Sequence, residues 1–382
     1  MHIIQSNVAG LLPRLDAYNG RLLNQSVPPK TSTLVLQILR RTSATARQQL
    51  DGSVGGTALI PSPSAHAHGE QIALPSTEQV AILLTTFNGA PFLSEQLDSL
   101  IAQTHQFWTI YASDDGSSDA TLEILSTYQE RLGPDRLVIL EGPRQGFAAN
   151  FLSLLRRKEI KEPYFAFCDQ DDRWAPERLA RGIQWMRTVP AEQPALFCSR
   201  TELIDTQGQS IGLSPLFARP PSFKNALVQS IAGGNTMLLN EAARQLLAAT
   251  QASSRIVSHD WWAYILVSGC EGAVHYDPFP GLGYRQHAGN LMGSNASYRD
   301  RLVRLKKLFA GTFNEWNDAN LEALTPLLDK LSPRNRMTLD LFTEGRKATL
   351  LKRLRLIYRS GAHRQTLQGN LGLVLATLFR RL

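Results

Sequence analysis

Between residues 79 and 175 the chain alternates short apolar runs with longer stretches in which leucines return every three or four positions. Val80-Ala-Ile-Leu-Leu-Thr-Thr86, Phe107–Ser113, Leu137–Glu141 and Tyr164-Phe-Ala-Phe-Cys168 are runs of strand length without sustained alternation, as expected for strands covered on both faces. Between them, Leu93, Leu97, Leu100 and Ile101 share one helical face after Pro91, a residue suited to a first helical turn. Leu122, Leu125 and Tyr128 predict a second buried helical face, and residues 147–158 a third helix. Strand–helix repeats of this length imply right-handed crossovers and an α/β fold with a parallel sheet. Ligands of such sheets sit beyond the carboxyl ends of the strands.

The flanks read differently. Residues 1–78 hold one short apolar stretch, Leu34–Leu39, and from Thr42 to Glu78 turn to Ser, Ala, Gly, Pro and His, an N-terminal extension and flexible linker. Residues 296–382 read as a basic helical region, with leucines at helical spacing over Tyr298–Phe309 and Arg346–Tyr358. The net charge of +7 is concentrated there: residues 299–382 hold 17 Lys and Arg against 7 Asp and Glu, a net of +10, which leaves −3 for the rest. Basic amphipathic helices suit an anionic membrane surface, and equally a helical subdomain whose arginines are solvated or paired. No run of eighteen apolar residues predicts a membrane span, and the N-terminus lacks the pattern of a secretory signal. Cys168, Cys198 and Cys270 are far apart and form no CxxC, which predicts reduced core residues and a cytosolic setting. No helix-turn-helix, zinc finger or RNA-binding aromatic signature accompanies the positive charge, so nucleic acid is not an expected partner.

Candidate chemistry lies where the predicted strands end. The first closes in Thr85-Thr86-Phe87-Asn88, the second in Asp114-Asp115-Gly116-Ser117, the fourth in Asp169-Gln170-Asp171-Asp172-Arg173-Trp174. Each acidic turn, read alone, is also a plausible helix-capping turn. Three carboxylates at the mouth of a buried strand repel one another unless a partner neutralises them, and a hard cation such as Mg²⁺ or Mn²⁺ does so with oxygen ligands. Asp260 reads alone as a helix cap, and Arg285 and His287 as a polar loop.

Taken in order, these segments resemble glycosyltransferase family 2, the inverting enzymes of GT-A fold. The match runs through Thr86-Phe87-Asn88-Gly89, Asp114–Thr121, Asp169–Trp174, Gly233-Gly234-Asn235, Ser258-His259-Asp260-Trp261-Trp262 and Tyr284-Arg285-Gln286-His287. The Asp-Gln-Asp-Asp-x-Trp, His-Asp-Trp and Tyr-Arg-Gln-His segments look like the rhamnosyltransferase branch. The resemblance implies a GT-A domain over 79–295, with a mostly parallel central sheet. It also implies roles: Thr86 and Asn88 line the nucleotide pocket, and Asp114 reads the base. Asp169 sits at ribose and metal, and Asp171 with His287 at the metal. Arg285 and His287 close over the diphosphate, and Asp260 is the general base.

The implied reaction is metal-dependent transfer of L-rhamnose from dTDP-rhamnose to a surface polysaccharide or lipid-linked glycan precursor, by a cytoplasmic protein in peripheral contact with an anionic membrane. A UDP-hexose donor, or a non-catalytic membrane- or nucleic-acid-binding protein, is the alternative. A nucleotidyltransferase would carry a Gly-rich phosphate loop, which the segment after Thr86 lacks.

Overall fold

The computed structural model describes residues 78–287 and 312–382. The extension expected over 1–78, apart from Glu78, and the helix expected over Tyr298–Phe309 lie outside the described residues. Contacts divide the chain into units Met1–Gln71 and Ile72–Leu382, and the second carries every element below.

Four parallel strands form the first half of a nine-stranded sheet: β1 (Val80–Thr86), β2 (Trp108–Asp114), β3 (Leu137–Glu141) and β4 (Tyr164–Cys168), in spatial order β3-β2-β1-β4. All seven residues of β1 are buried, because Ala81 and Leu83 enter one hydrophobic cluster while Val80, Ile82 and Leu84 enter another on the opposite face. That is why the run shows no polar alternation. Helices α1 (Ala90–Ile101) and α2 (Thr121–Leu132) cover the second cluster and α3 (Phe147–Leu155) the first. One expectation fails here. Leu122 is exposed, because the inward stripe of α2 runs through Thr121, Leu125, Tyr128 and Leu132 and leaves it on the flank.

The second half of the sheet adds antiparallel strands to the mostly parallel arrangement expected. Beyond β4 lie β8 (Leu238–Asn240), β6 (Ala195–Ile204), β9 (Ala273–Arg285) and β5 (Arg173–Trp174), with β7 (Ser210–Leu213) paired to β6. Of these pairings only β6 with β9 is parallel. The short β8 reverses direction after β4, so the sheet is mixed. Helices α4 (Arg178–Met186), α5 (Phe223–Ala226), α6 (Glu241–Ala248) and α7 (His259–Gly269) complete this half.

The C-terminal helices are α8 (Thr312–Leu324), α9 (Pro333–Lys347), α10 (Leu350–Ser360) and α11 (Leu367–Leu378). The helix expected over Arg346–Tyr358 is divided between α9 and α10, with Thr349 in the extended N-cap conformation. Leu324, Leu339, Phe342, Ile357, Leu373 and Ala376 enter the same cluster as α7 and β4, so this region shares the core of the sheet. The cysteines are free; Cys168 and Cys198 are buried and Cys270 half-buried. No described helix is long and apolar enough to cross a membrane.

Candidate active site

Strand register brings the polar ends together. Thr86 lies opposite Asp114, and Leu84 opposite Cys168, so the loops after β1, β2 and β4 open at one end of the sheet. Thr86 is almost wholly buried, and its hydroxyl donates to Asp114 Oδ2 at 2.9 Å. Asn88 takes the left-handed backbone conformation, φ 49°, which Asn tolerates better than most residues. Its backbone N–H donates to Ser117 Oγ and its side-chain Oδ1 accepts from the Ser118 N–H, both at 2.8 Å. Asn88 therefore laces the β1 loop to the β2 turn.

Asp114 is committed to that turn. Its carboxylate accepts from the backbone N–H groups of Gly116 and Ser117, from the Ser117 hydroxyl and from Thr86. Four donors fill the acceptor sites of a carboxylate, so Asp114 shapes the turn. Sequence reasoning passed over its neighbour: Asp115 accepts from the Arg144 N–H at 2.6 Å and the Gly146 N–H at 2.8 Å, fixing the loop between β3 and α3. Gln170 was also missed. Its amide accepts from Phe87 N–H at 2.8 Å and donates to Phe87 O at 3.0 Å, clamping the β4 loop to the β1 loop. Gly89 makes this possible, since a Cβ there would stand 2.2 Å from Gln170 Oε1.

The acidic cluster divides into two roles. Asp172 points inward, fully buried, accepting from Asn235 Nδ2 at 2.6 Å and from the Arg285 N–H at 3.2 Å. Asp169, Asp171 and Asp260 are each partly exposed, and the last two are near enough to Asp169 for their charges to act on it. Burial, and then the charges of Asp171 and Asp260, push the Asp169 carboxyl up to about 7, while the Arg178 guanidinium opposes the shift. Asp171 Oδ2 lies 2.7 Å from His287 Nε2. Asp260 is in the first turn of α7, partly exposed, and accepts from the Trp261 N–H at 2.7 Å.

Arg285 is placed differently from its expected contact with a diphosphate. The side chain is fully buried, pairs with Glu95 Oε2 at 2.5 Å and donates to the carbonyls of Asp171, Asp205 and Thr206. It braces the acidic loop from behind. Arg178, unassigned from sequence, is likewise buried, stacked 3.4 Å over the Trp174 ring and donating to the carbonyls of Phe167 and Asn235. Trp174, Trp261 and Trp262, considered as sugar platforms, are core residues; the indole N–H groups of the last two donate to Ala226 O and Thr250 Oγ1.

His259 stacks on Phe151 at 4.0 Å between ring centroids, edge-on to Phe167, with neither ring nitrogen hydrogen-bonded. Burial drops its pKa to about 4. A Cβ on Gly234 would stand 2.1 Å from His259 Nε2, so this glycine ahead of β8 serves close packing against the start of α7.

Among the described residues no three His, Cys, Asp or Glu side chains are already gathered around a point that would hold a metal. The chemistry of Asp169, Asp171 and His287, oxygen and imidazole donors, is of the kind a hard divalent ion takes. Two carboxylates and one imidazole, in a cluster whose mutual repulsion already raises Asp169, supply part of a coordination sphere that substrate phosphates and water would complete.

The family profile described as glycosyl transferase family 2 matches residues 81–247, the segment that carries the β1, β2 and β4 loops. The match spans 167 of the 382 residues, a glycosyltransferase family 2 region within the chain. A dTDP-rhamnosyl transferase of Shigella flexneri is 27% identical over 235 residues, covering 58% of this chain and 78% of that protein. An uncharacterized glycosyltransferase of Rickettsia typhi is 25% identical over 210 residues, covering 52% of this chain and 61% of its own length. Among solved structures, the S. aureus protein TarS in complex with UDP-GlcNAc aligns over 75% of this chain and 93% of its own, with 15% identity and a TM-score of 0.44. The chain is a glycosyltransferase, a sugar-transferring enzyme, built on the mixed α/β sheet described above.

Proposed function

We propose that this glycosyltransferase moves L-rhamnose from dTDP-L-rhamnose to a surface polysaccharide or a lipid-linked glycan precursor, with inversion at the anomeric carbon. The observation that carries the reading is the convergence of Asp169, Asp171 and Asp260 beyond the β4 end, in a family 2 domain. The Shigella relative supports the choice of donor.

In the proposed step the acceptor oxygen attacks the anomeric carbon as the bond to the diphosphate oxygen breaks. The acceptor proton goes to the Asp260 carboxylate, and the leaving diphosphate takes the electron pair. Proton removal by a positioned carboxylate is worth about 10²–10⁴-fold in rate. Asp169, Asp171 and His287 would hold the divalent ion, which when bound supplies Lewis-acid stabilisation of the departing diphosphate. Thr86 and Asn88 line the nucleotide side and keep the Asp114 turn in register with it. Arg285 serves as a brace for the Asp171 loop. The protein works in the cytoplasm, in peripheral contact with an anionic membrane.

Isothermal titration of nucleotide sugars with and without Mn²⁺ tests this. dTDP-rhamnose is expected to bind in a metal-dependent way, and Asp171→Asn to remove that dependence. Binding and hydrolysis of a UDP-hexose in place of dTDP-rhamnose would overturn the donor assignment and leave the family assignment standing.

A further inference from the structure

We infer that α11, with the basic ends of α9 and α10, is the surface that seats this enzyme on an anionic lipid bilayer. The inference deepens the proposed membrane contact and rests on that reading. α11 carries no charged residue, and Leu367, Leu371, Val374 and Leu378 recur along it at i, i+4, i+7 and i+11. That is one helical face, and it points to solvent: Leu367 is 85% exposed and Leu371 62%. Phe379 extends it, 58% exposed. The opposite face of α11 is spent on the core through Leu373, Ala376 and Thr377, so the exposed leucines are not needed to hold the helix down.

The segment that carries this stripe has charge of one sign. From Gly345 to Leu382 the chain holds nine Lys and Arg and no Asp or Glu. Arg380 donates to the carbonyl of Lys347, which brings the end of α11 beside the end of α9 and sets Lys347, Arg380 and Arg381, all exposed, at one end of the stripe. Arg353 donates to the Thr377 carbonyl and fastens α10 to α11. On α10 the exposed residues are Leu350, Leu351, Arg355, Tyr358 and Arg359, together with Lys352, which pairs with Glu344. A leucine stripe flanked by arginines matches the acyl–headgroup boundary, where apolar groups enter and guanidinium groups stay with the phosphates. A second copy of the chain would instead set the exposed Lys347, Arg355, Arg359, Arg380 and Arg381 near the same residues of its partner, which repel. From Leu367 to Leu378 the stripe runs roughly 16 Å at the helical rise, enough to lie in the interface and too short to span it.

Flotation of the full-length protein with phosphatidylcholine vesicles, and with vesicles that also contain phosphatidylglycerol, tests the assignment. Binding is expected to the anionic vesicles alone and to fall with added salt. Substituting Leu367→Ser and Leu371→Ser together is expected to weaken it about tenfold or more. Reversing Arg380→Glu and Arg381→Glu is expected to weaken it by more than about twentyfold, since each basic residue near such a surface is worth roughly fivefold. The leucine positions are exposed, so the thermal unfolding of that variant should match the parent, and its sugar transfer to a soluble acceptor should be unchanged.

Equal flotation with neutral vesicles, or flotation of both variants like the parent, would overturn the assignment. So would a concentration-dependent dimer that the leucine variant loses, which would make a second copy the occupant. Vesicle binding without sugar transfer would sink the proposed reaction and leave this surface standing. Sugar transfer without vesicle binding would do the reverse.

Discussion

Asp260 and His259 are adjacent in sequence and have opposite surroundings. Asp260 is partly exposed and near enough to Asp169 for its charge to act there, whereas His259 is sealed among phenylalanines. Asp260→Asn should keep metal-dependent donor binding and lower kcat by about 10²–10⁴-fold, measured by titration and by initial rates. A comparable loss of donor affinity would remove it from the role of base. His259 makes a prediction about pH. Its folded pKa of about 4 lies below the ordinary histidine value, so between these two the unfolded chain binds a proton that the folded chain refuses. Stability from this group is therefore complete above about pH 6.5 and declines as the pH falls toward 4, by up to about 3 kcal/mol. Asp169, raised instead of lowered, acts in the opposite sense over much of this range. The histidine's share is thus read as the difference between the parent and His259→Leu in urea unfolding at pH 7 and pH 5. The variant should start less stable at pH 7, from the altered packing, and lose less on acidification; parallel losses would contradict the account.

At the scale of elements, the site depends on loops fixed by side chains from distant parts of the chain. Arg285 at the end of β9 holds the loop after β4 through the Asp171 carbonyl and the Asp172 carboxylate, and is itself held by Glu95 from α1. Arg285→Gln should destabilise the fold by roughly 2–4 kcal/mol, because buried carbonyls lose their donor. It should also weaken metal-dependent donor binding more than it weakens binding of the nucleotide alone, a split that titration measures. Little of this bracing could be read from the sequence. The strand ends and their acids were legible because doubly covered strands leave unbroken apolar runs and turns leave Gly, Ser and Asp. The burial of Arg285 was not, since its partner lies 190 positions away. β9 was equally hidden. Pro278 and Pro280 interrupt any strand pattern, and the strand survives through irregularities in its register with β6.

For the whole molecule, the basic C-terminal region turned out to be both a charged surface and part of the core. Its charge was visible in composition, but the inward face of α9 was not, because its apolar residues Met337, Leu339, Leu341 and Phe342 crowd one short run instead of recurring along the helix. Phe342 is fully buried in the cluster that also holds α7. Phe342→Ala should cost about 3–5 kcal/mol in chemical unfolding, in a single transition that also abolishes donor binding. Two separate transitions would mean that the helices fold apart from the sheet. For the same reason, deleting the C-terminal helices would remove core along with the proposed membrane contact, whereas exposed leucines of α11 can be changed one face at a time.

Gln170 binds both the N–H and the carbonyl of Phe87, as a neighbouring strand would. Loops that appear to be two independent jaws are therefore fastened at the hinge: the nucleotide side on β1 and the acidic side on β4 keep a fixed gap. Under the proposed reading, that gap works as a calliper with a locked screw. A donor is gauged by its length from base to sugar, so a sugar nucleotide one phosphate shorter or longer should be rejected before the identity of its sugar matters.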